Sequence, residues 1–150
     1  MNISQGLTHA KKIAGNHLAI VCGDLATIDE ENFIYIVDRA KDMIISGGEN
    51  IYCVEVENAL YTHPAVLEAA VIGIPDETWG EAVHAVVVCK PGTNVSSGEL
   101  ISHARTQIAS YKIPRSVEFR TEALPKSGAG KILKRDLREK YWEGKSRQVN

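Results

Sequence analysis

Two β-rich apolar runs, residues 66–74 and 82–89, are separated only by the turn-forming segment IPDETWGE, which contains Pro75 and Gly80. Runs this close favour antiparallel pairing, because a parallel return needs a long crossover connection. The other elements must be arranged around that pair. Before it, VEVENALYTH carries Val56, Ala59 and Leu60 at helical spacing, and Pro64 closes the segment. After it, Pro91-Gly92 marks a turn, and Ser96 or Ser97 can cap a helix over residues 99–108 with Leu100, Ile101, Ala104 and Ile108 on one face. A short strand over residues 116–120, a Pro/Gly/Ser loop over 124–130 and a basic helix over 132–142 follow, and a disordered tail is expected over 144–150.

Upstream, LATIDEENFIYIV alternates apolar and polar residues about Asp29-Glu30-Glu31-Asn32. That pattern predicts a β-hairpin with strands near residues 25–28 and 33–37. The run DMIIS, residues 42–46, reads as a short extended segment ending at Gly47-Gly48. Residues 1–22 read either as a short helix followed by a strand or as a frayed tail. The expected fold class is α+β: a small, mostly antiparallel sheet with helices packed against one side of it, preceded by a β-hairpin.

Charge and cysteine usage narrow the function. Nineteen acidic against seventeen basic residues give a net charge of −2, which excludes a general electrostatic nucleic-acid binder. No apolar run reaches the length of about 18 residues needed to span a bilayer, and MNISQGLTHAKK lacks the apolar core of a secretory signal. Cys22, Cys53 and Cys89 have neither zinc-finger nor redox spacing, so reduced thiols in a cytoplasmic protein are expected. His9, His17, His63, His84 and His103 form no metal-binding pattern, and no metal is assigned.

Three segments can carry chemistry. The first is Leu124-Pro125-Lys126-Ser127-Gly128-Ala129-Gly130-Lys131, where a glycine-rich loop can bring an ammonium close to a phosphate or carboxylate. It is not a Walker loop, because Pro125 and Ile132 occupy positions that need Gly and Ser or Thr. The second is Ser46-Gly47-Gly48-Glu49-Asn50, whose paired glycines permit close approach of backbone to a ligand. The third is Asp24 beside Gly23 with Asp38-Arg39-Ala40-Lys41-Asp42 downstream, a carboxylate and an arginine suited to ribose hydroxyls and phosphate. Each has a plainer reading: a solvated basic loop, a tight strand-to-helix turn, and a turn aspartate with a solvated charge run. Spacing alone does not separate the two.

Taken together, GDLATIDEENFIYIVDRAKDMIISGGENIYCVEVENAL, SYKIP and LPKSGAGKILKRDLR resemble the carboxy-terminal part of the adenylate-forming family, over residues 23–141. The wording around DRAKDMIISGGENIY looks most like a fatty-acid or aryl acyl-CoA synthetase, which implies a role in fatty acid metabolism. The resemblance implies activation of a carboxylate by ATP to an acyl-adenylate and pyrophosphate, followed by displacement of AMP by the coenzyme A thiol. It implies a small domain that rotates on a hinge and presents a different face to each half-reaction. It assigns Lys131 to the adenylation transition state, Asp24 to the ribose hydroxyls and Arg39 to the nucleotide. Lys41 falls at the hinge, and Gly47, Gly48 and Glu49 at the loop lining the pantetheine channel. ATP/AMP, coenzyme A and magnesium are the ligands implied for the complete family protein.

The same resemblance implies three segments: an atypical stretch over 1–22, hairpin and hinge over 23–41, and the small carboxy-terminal domain over 42–150. The family's phosphate-binding loop, acyl pocket and adenine platform are not among these residues. Isolated, the chain is therefore expected to bind no cofactor and to lack ligase activity. Its expected partners are an amino-terminal adenylation domain, in cis or in trans, and a second copy paired through the hairpin. A non-catalytic or trans-complementing interaction module is the alternative. Resemblance stops abruptly before Gly23, which favours a short reading frame with an unrelated start over an excised carboxy-terminal piece. Arg105, Lys112, Arg115, Lys134 and Arg135 are candidates for coenzyme A phosphates, with solvated charge the default. Tyr111-Lys112-Ile113-Pro114 is read as structural, and Trp79 as a partly buried loop anchor.

Overall fold

The structure, a computed structural model, describes residues 19–21, 23–28, 31 and 33–145. The expectations for residues 1–18, for most of the hairpin turn and for the last five residues lie outside them. The chain divides into two compact units, Met1–Met43 and Ile44–Asn150.

In the first unit the predicted hairpin is formed by β2 (Asp24–Ile28) and β3 (Ile34–Arg39). A third strand, β1 (Ala19–Val21), extends it to a sheet of order β1-β2-β3. Leu25 faces Asp38 but Ala26 faces Ile36, so β3 carries one extra residue in a bulge. The shift leaves Asp24 directly opposite Arg39. Leu25 and Ala26 are buried, whereas Ile34, Tyr35 and Ile36 are exposed along β3, as is Phe33 just before it.

The second unit contains β4 (Ile44–Ser46), β5 (Glu49–Ile51), α1 (Cys53–Tyr61), β6 (Val66–Asp76) and β7 (Gly80–Cys89). After these come α2 (Ser97–Arg105), a 3-10 turn (Ser110–Lys112), β8 (Ser116–Arg120) and α3 (Lys134–Trp142). The sheet order is β5-β4-β7-β6, with β8 also on β7. The β6–β7 pair is antiparallel, as predicted, but runs further into the connecting segment, to Asp76↔Gly80. Strand β8 lies parallel to β7 from His84↔Ser116 to Val88↔Arg120, so the sheet is mixed. Ser96 is the helix cap, in a reciprocal box with Glu99: its Oγ accepts the Glu99 N–H, and the Glu99 carboxylate accepts the Ser96 N–H.

Two expectations need correction. Helices were expected on one side of the sheet, but it is covered on both. Val83, Ala85 and Val87 of β7 pack with Ala69 and Val71 of β6 against Val56 and Leu60 of α1 and Leu100 and Ala104 of α2. Val86, Val88, Ala70 and Ile72 pack on the other face against Leu124 and against Leu137 and Tyr141 of α3. Near-continuous apolar runs, rather than alternation, are the mark of strands buried on both faces. Gly47-Gly48 was read as a strand-to-helix turn, but it joins two strands, with Ile44↔Ile51 and Ser46↔Glu49 in register. The three-residue β5 is too short to stand out from the helix that follows it.

Strand β6 is an edge, and an open edge invites pairing with other chains. Side chains close it. Ala69 N–H donates to Tyr61 Oη at 3.1 Å, and that hydroxyl donates to Ala69 O at 3.2 Å. Val71 N–H donates to Glu57 Oε1 at 2.8 Å, and Glu57 also pairs with Lys134 Nζ at 2.8 Å. Trp142 Nε1 donates to Gly73 O at 3.0 Å. A Tyr61→Phe substitution is expected to leave Ala69 N–H without an acceptor at a cost of about 1–3 kcal/mol. Denaturant unfolding and faster exchange of the Ala69 amide check this.

Helix α3 is tied to β8 and β7 by a polar cluster. Glu118 accepts from Lys140 Nζ and Tyr141 Oη, each at 2.6 Å, and from Arg120 Nε at 3.2 Å. Buried His84 lies between Ser116 Oγ at 2.7 Å and Tyr141 Oη at 2.9 Å. Burial alone would raise the Glu118 pKa, but the hydrogen bonds from Lys140, Tyr141 and Arg120 outweigh it and hold the carboxyl at about 2. Burial pushes the His84 pKa down against the pull of Glu118. The native state binds the Glu118 proton less readily than the unfolded chain. Its contribution is therefore complete above pH 4.5 and is lost as the pH falls towards 2. Glu118→Gln is expected to cost about 1.5–3 kcal/mol at neutral pH, the range for hydrogen bonds to charged groups. It should also flatten the loss of stability across that acid window, as measured by urea unfolding at a series of pH values.

Candidate functional site

The segment after β8 is a narrow loop with a pinned base. Leu124 is buried, and its N–H donates to Glu68 Oε2 at 2.8 Å. The Lys126 ammonium pairs with the same carboxylate. Lys126 and Ile132 form an antiparallel bridge, and Leu133 N–H donates to Pro125 O at 2.8 Å. Within the tip, Ser127 N–H donates to Lys131 O and Gly130 N–H to Ser127 O, both at 2.8 Å. Gly130 takes φ +77, a conformation that a side chain would strain. The Lys126 hydrogen bond is the largest cause of a lowered Glu68 pKa.

The two lysines of the loop thus have different positions. Lys126 neutralises a structural carboxylate. Lys131 is exposed at the end of the tip, and among the described residues no carboxylate pairs with its ammonium. That arrangement leaves a cation available to an anionic ligand and presents it on an anchored stem.

The Gly47-Gly48 turn has positive φ at both residues, +59 and +84, the backbone required by the tight turn that best matches strand twist. Gly47 N–H donates to Trp79 O at 2.9 Å. A Cβ on Gly47 would lie 2.5 Å from Trp79 Cε3, so the indole takes the space that any side chain would need. Trp79 is held by its own hairpin, where Asp76 Oδ1 accepts the N–H groups of Thr78 and Trp79, each at 2.9 Å. Glu81 is buried and accepts the Ile45 N–H at 2.8 Å, which fixes β4 before the turn. Glu49 is exposed at the start of β5.

In the first unit the register brings Asp24 and Arg39 together as cross-strand neighbours, with Cβ atoms on the order of 5 Å apart by ordinary sheet geometry. Gly23 takes φ +88, and its carbonyl accepts the Ala40 N–H at 2.9 Å, closing the end of the hairpin. Asp42 and Met43 N–H groups both donate to Arg39 O, at 2.9 and 3.2 Å. That turn places Lys41 at an exposed corner immediately after β3.

Most of the undecided basic residues have structural partners. Lys112 Nζ pairs with Glu55 at 2.7 Å and Lys134 with Glu57 at 2.8 Å. The Arg115 guanidinium lies 5.1 Å from the Trp79 ring centroid. Arg105 and Arg135 are exposed. Ile113 and Pro114 are buried between the 3-10 turn and β8. Trp79 is the loop anchor that its position in the sequence suggests, and it is partly exposed. Its seat beneath Gly47 was not visible, because the two residues lie far apart in the chain and meet only through the β4–β7 pairing. Among the described residues no group of three metal-ligating side chains lies together, and no helix is long and apolar enough to cross a membrane.

The two loops of the second unit lie apart. Ser46, just before the glycine turn, pairs with Gly80 at the start of β7. Glu68, which anchors the Lys131 loop, pairs with Val88 near its end. The strand between them spans about 27 Å at about 3.4 Å per residue.

Comparison with known proteins identifies the family. Residues 55–131, just over half of the chain, match the family described as the AMP-binding enzyme C-terminal domain. A feruloyl-CoA synthase from Amycolatopsis sp is 54% identical over 119 residues, covering 79% of this chain and 24% of that protein. A long-chain-fatty-acid–CoA ligase from Bacillus subtilis is 52% identical over 121 residues, covering 81% of this chain and 21% of that protein. The ATP-bound structure of MatB from Rhodopseudomonas palustris superposes with a TM-score of 0.76 at 37% identity, covering 84% of this chain and 25% of that one. The chain thus spans about a quarter of the length of these relatives. Sequence, sheet order and loop placement lead to one conclusion: the chain belongs to the AMP-binding enzyme C-terminal domain family, the carboxy-terminal domain of adenylate-forming acyl-CoA synthetases.

Proposed function

We propose that this chain acts as the rotating carboxy-terminal domain of an ATP-dependent acid–thiol ligase that forms acyl-CoA from a fatty or aryl carboxylic acid. In the first step a carboxylate oxygen attacks the α-phosphorus of ATP, and pyrophosphate leaves. In the second the coenzyme A thiol attacks the acyl carbon of the adenylate. AMP leaves with the bonding electrons, and the thiol proton passes to solvent. Lys131 stabilises the charge that develops on the phosphoryl oxygens in the first step. Asp24 holds the ribose hydroxyls and Arg39 the nucleotide. Gly47, Gly48 and Glu49 line the path of the pantetheine arm in the second step. Lys41 is the hinge, which separates the segment 23–41 from the small domain at 42–150. Magnesium accompanies the triphosphate, and no step here is assigned to it.

The observation that carries this reading is the separation of the two loops along β7. The base of the Lys131 loop is held at Glu68 and the glycine turn at Gly80, about a strand's length apart, which supports the two serving one reacting centre in different orientations of a rigid body. Turning the body exchanges them, so that the lysine does not crowd the thiol's approach.

The partner is an amino-terminal adenylation domain, in cis or in trans. The exposed apolar residues Ile34, Tyr35 and Ile36 on β3, an edge strand, with Phe33 just before it, favour a covering surface there. The same strand supports a second reading, a homodimer or non-catalytic interaction module paired through this edge. The free thiols of buried Cys53 and half-buried Cys89 suit a cytoplasmic setting.

The test joins this chain to the amino-terminal region of the Amycolatopsis feruloyl-CoA synthase and measures ATP–pyrophosphate exchange and thioester formation. Both are expected, and neither with the 150-residue chain alone. Lys131→Ala should lower pyrophosphate exchange by about 10²–10³-fold, the effect of removing one transition-state donor. It should leave thioester formation from a supplied acyl-adenylate largely intact. Lys126→Ala should lower stability with little change in rate per folded molecule. Exchange by the isolated chain, or equal rate losses for the two lysine variants, would refute the assignment.

A further inference from the structure

Two contacts tie the Trp79 indole to segments beyond its own hairpin. One is with Gly47, which has no room for a Cβ because Trp79 Cε3 would be 2.5 Å away. The other is with Arg115, whose guanidinium carbon lies 5.1 Å from the ring centroid. Arg115 cannot drift far at its backbone. It follows fully buried Pro114, and its N–H donates to Val83 O at 2.9 Å at the entry to β8. Its charge also acts on Asp76. The Trp79 N–H is the main cause holding that carboxyl below its ordinary range, the Thr78 N–H adds to it, and Arg115 contributes a smaller pull. Trp79 remains 44% exposed, so burial alone does not immobilise its ring. A flat guanidinium over an indole supplies an attraction that a solvated ring otherwise lacks.

We propose that Arg115 is a positioning residue: lying over Trp79, it holds the indole against Gly47 and so sets the shape of the Gly47-Gly48 turn. Arg115 touches no reacting atom. It acts through Trp79 on the turn. The consequence for coenzyme A rests on the function proposed above, whereas the bracket itself rests only on contacts within the second unit.

The two parts are tested separately. In the 150-residue chain, Arg115→Ala should speed exchange of the Gly47 amide about tenfold, the equivalent of one exposed-to-desolvated cation–π contact. Acrylamide quenching of Trp79 should rise, measured in a Trp142→Phe background so that one indole reports. Arg115→Lys, which keeps the charge but not the planar fork, should fall between. Unchanged Gly47 exchange overturns the proposal, and so does a uniform change across the β6–β7 amides, which would make Arg115 a general stabiliser. In the joined enzyme, Arg115→Ala should raise the KM for coenzyme A about tenfold, by the same conversion, and leave ATP–pyrophosphate exchange unchanged. An unchanged KM, or equal losses in both half-reactions, overturns the link to the thiol step. If the unsubstituted joined enzyme makes no thioester, the functional reading has failed, and Gly47 exchange alone decides the bracket.

Discussion

The antiparallel register between β6 and β7, from Val66↔Cys89 to Asp76↔Gly80, is the constraint on which the second unit depends. It places apolar side chains on both faces of one ribbon, and each face then needs a cover. Helices α1 and α2 cover one, and α3 with the base of the Lys131 loop covers the other. Each residue buried from one strand contributes on the order of 25 cal/mol per Å² of apolar surface removed from water. Covering both faces is what gives a sheet this small a sufficient core.

The same register positions the two loops. The glycine turn is attached where β7 begins, and the lysine loop where β7 is about to end. Rigidity between them comes from the close-packed ribbon, which transmits orientation rather than absorbing it. The loops also differ in how they are held. Glu68 grips the base of the lysine loop through the Leu124 N–H and Lys126 and leaves the tip to solvent. The glycine turn is held by a hydrogen bond to Trp79 O and by the indole itself.

Local signals in the sequence predicted the elements well where the pattern was period-specific. The β2–β3 hairpin followed from alternation, and the β6–β7 pair from two β-rich runs flanking a short turn. The α2 start followed from a serine cap at Ser96 or Ser97, of which the structure uses Ser96. The failures have physical reasons. Strand β5 has only three residues, too few for a period, and helix α1 begins two residues after it. The parallel placement of β8 depends on which side of β7 remained open, since β4 pairs with β7 only at Ser46↔Gly80.

The candidate site divides in the same way. Asp24, Arg39, Lys131 and the Gly47-Gly48 pair were legible as residues able to meet a ligand, because charge and backbone freedom are properties of single residues and short motifs, but only the family resemblance gave them roles. Which lysine of the loop is free to act, that Asp24 faces Arg39, and that Trp79 fills the space at Gly47 were not legible. Those depend on a carboxylate from β6, on a one-residue bulge in β3, and on two hairpins meeting at Gly80. The sequence by itself determined the family and most of the local elements. Tertiary structure decided which groups are neutralised, which are adjacent and which lie a strand's length apart, since these are distances between residues remote in the chain.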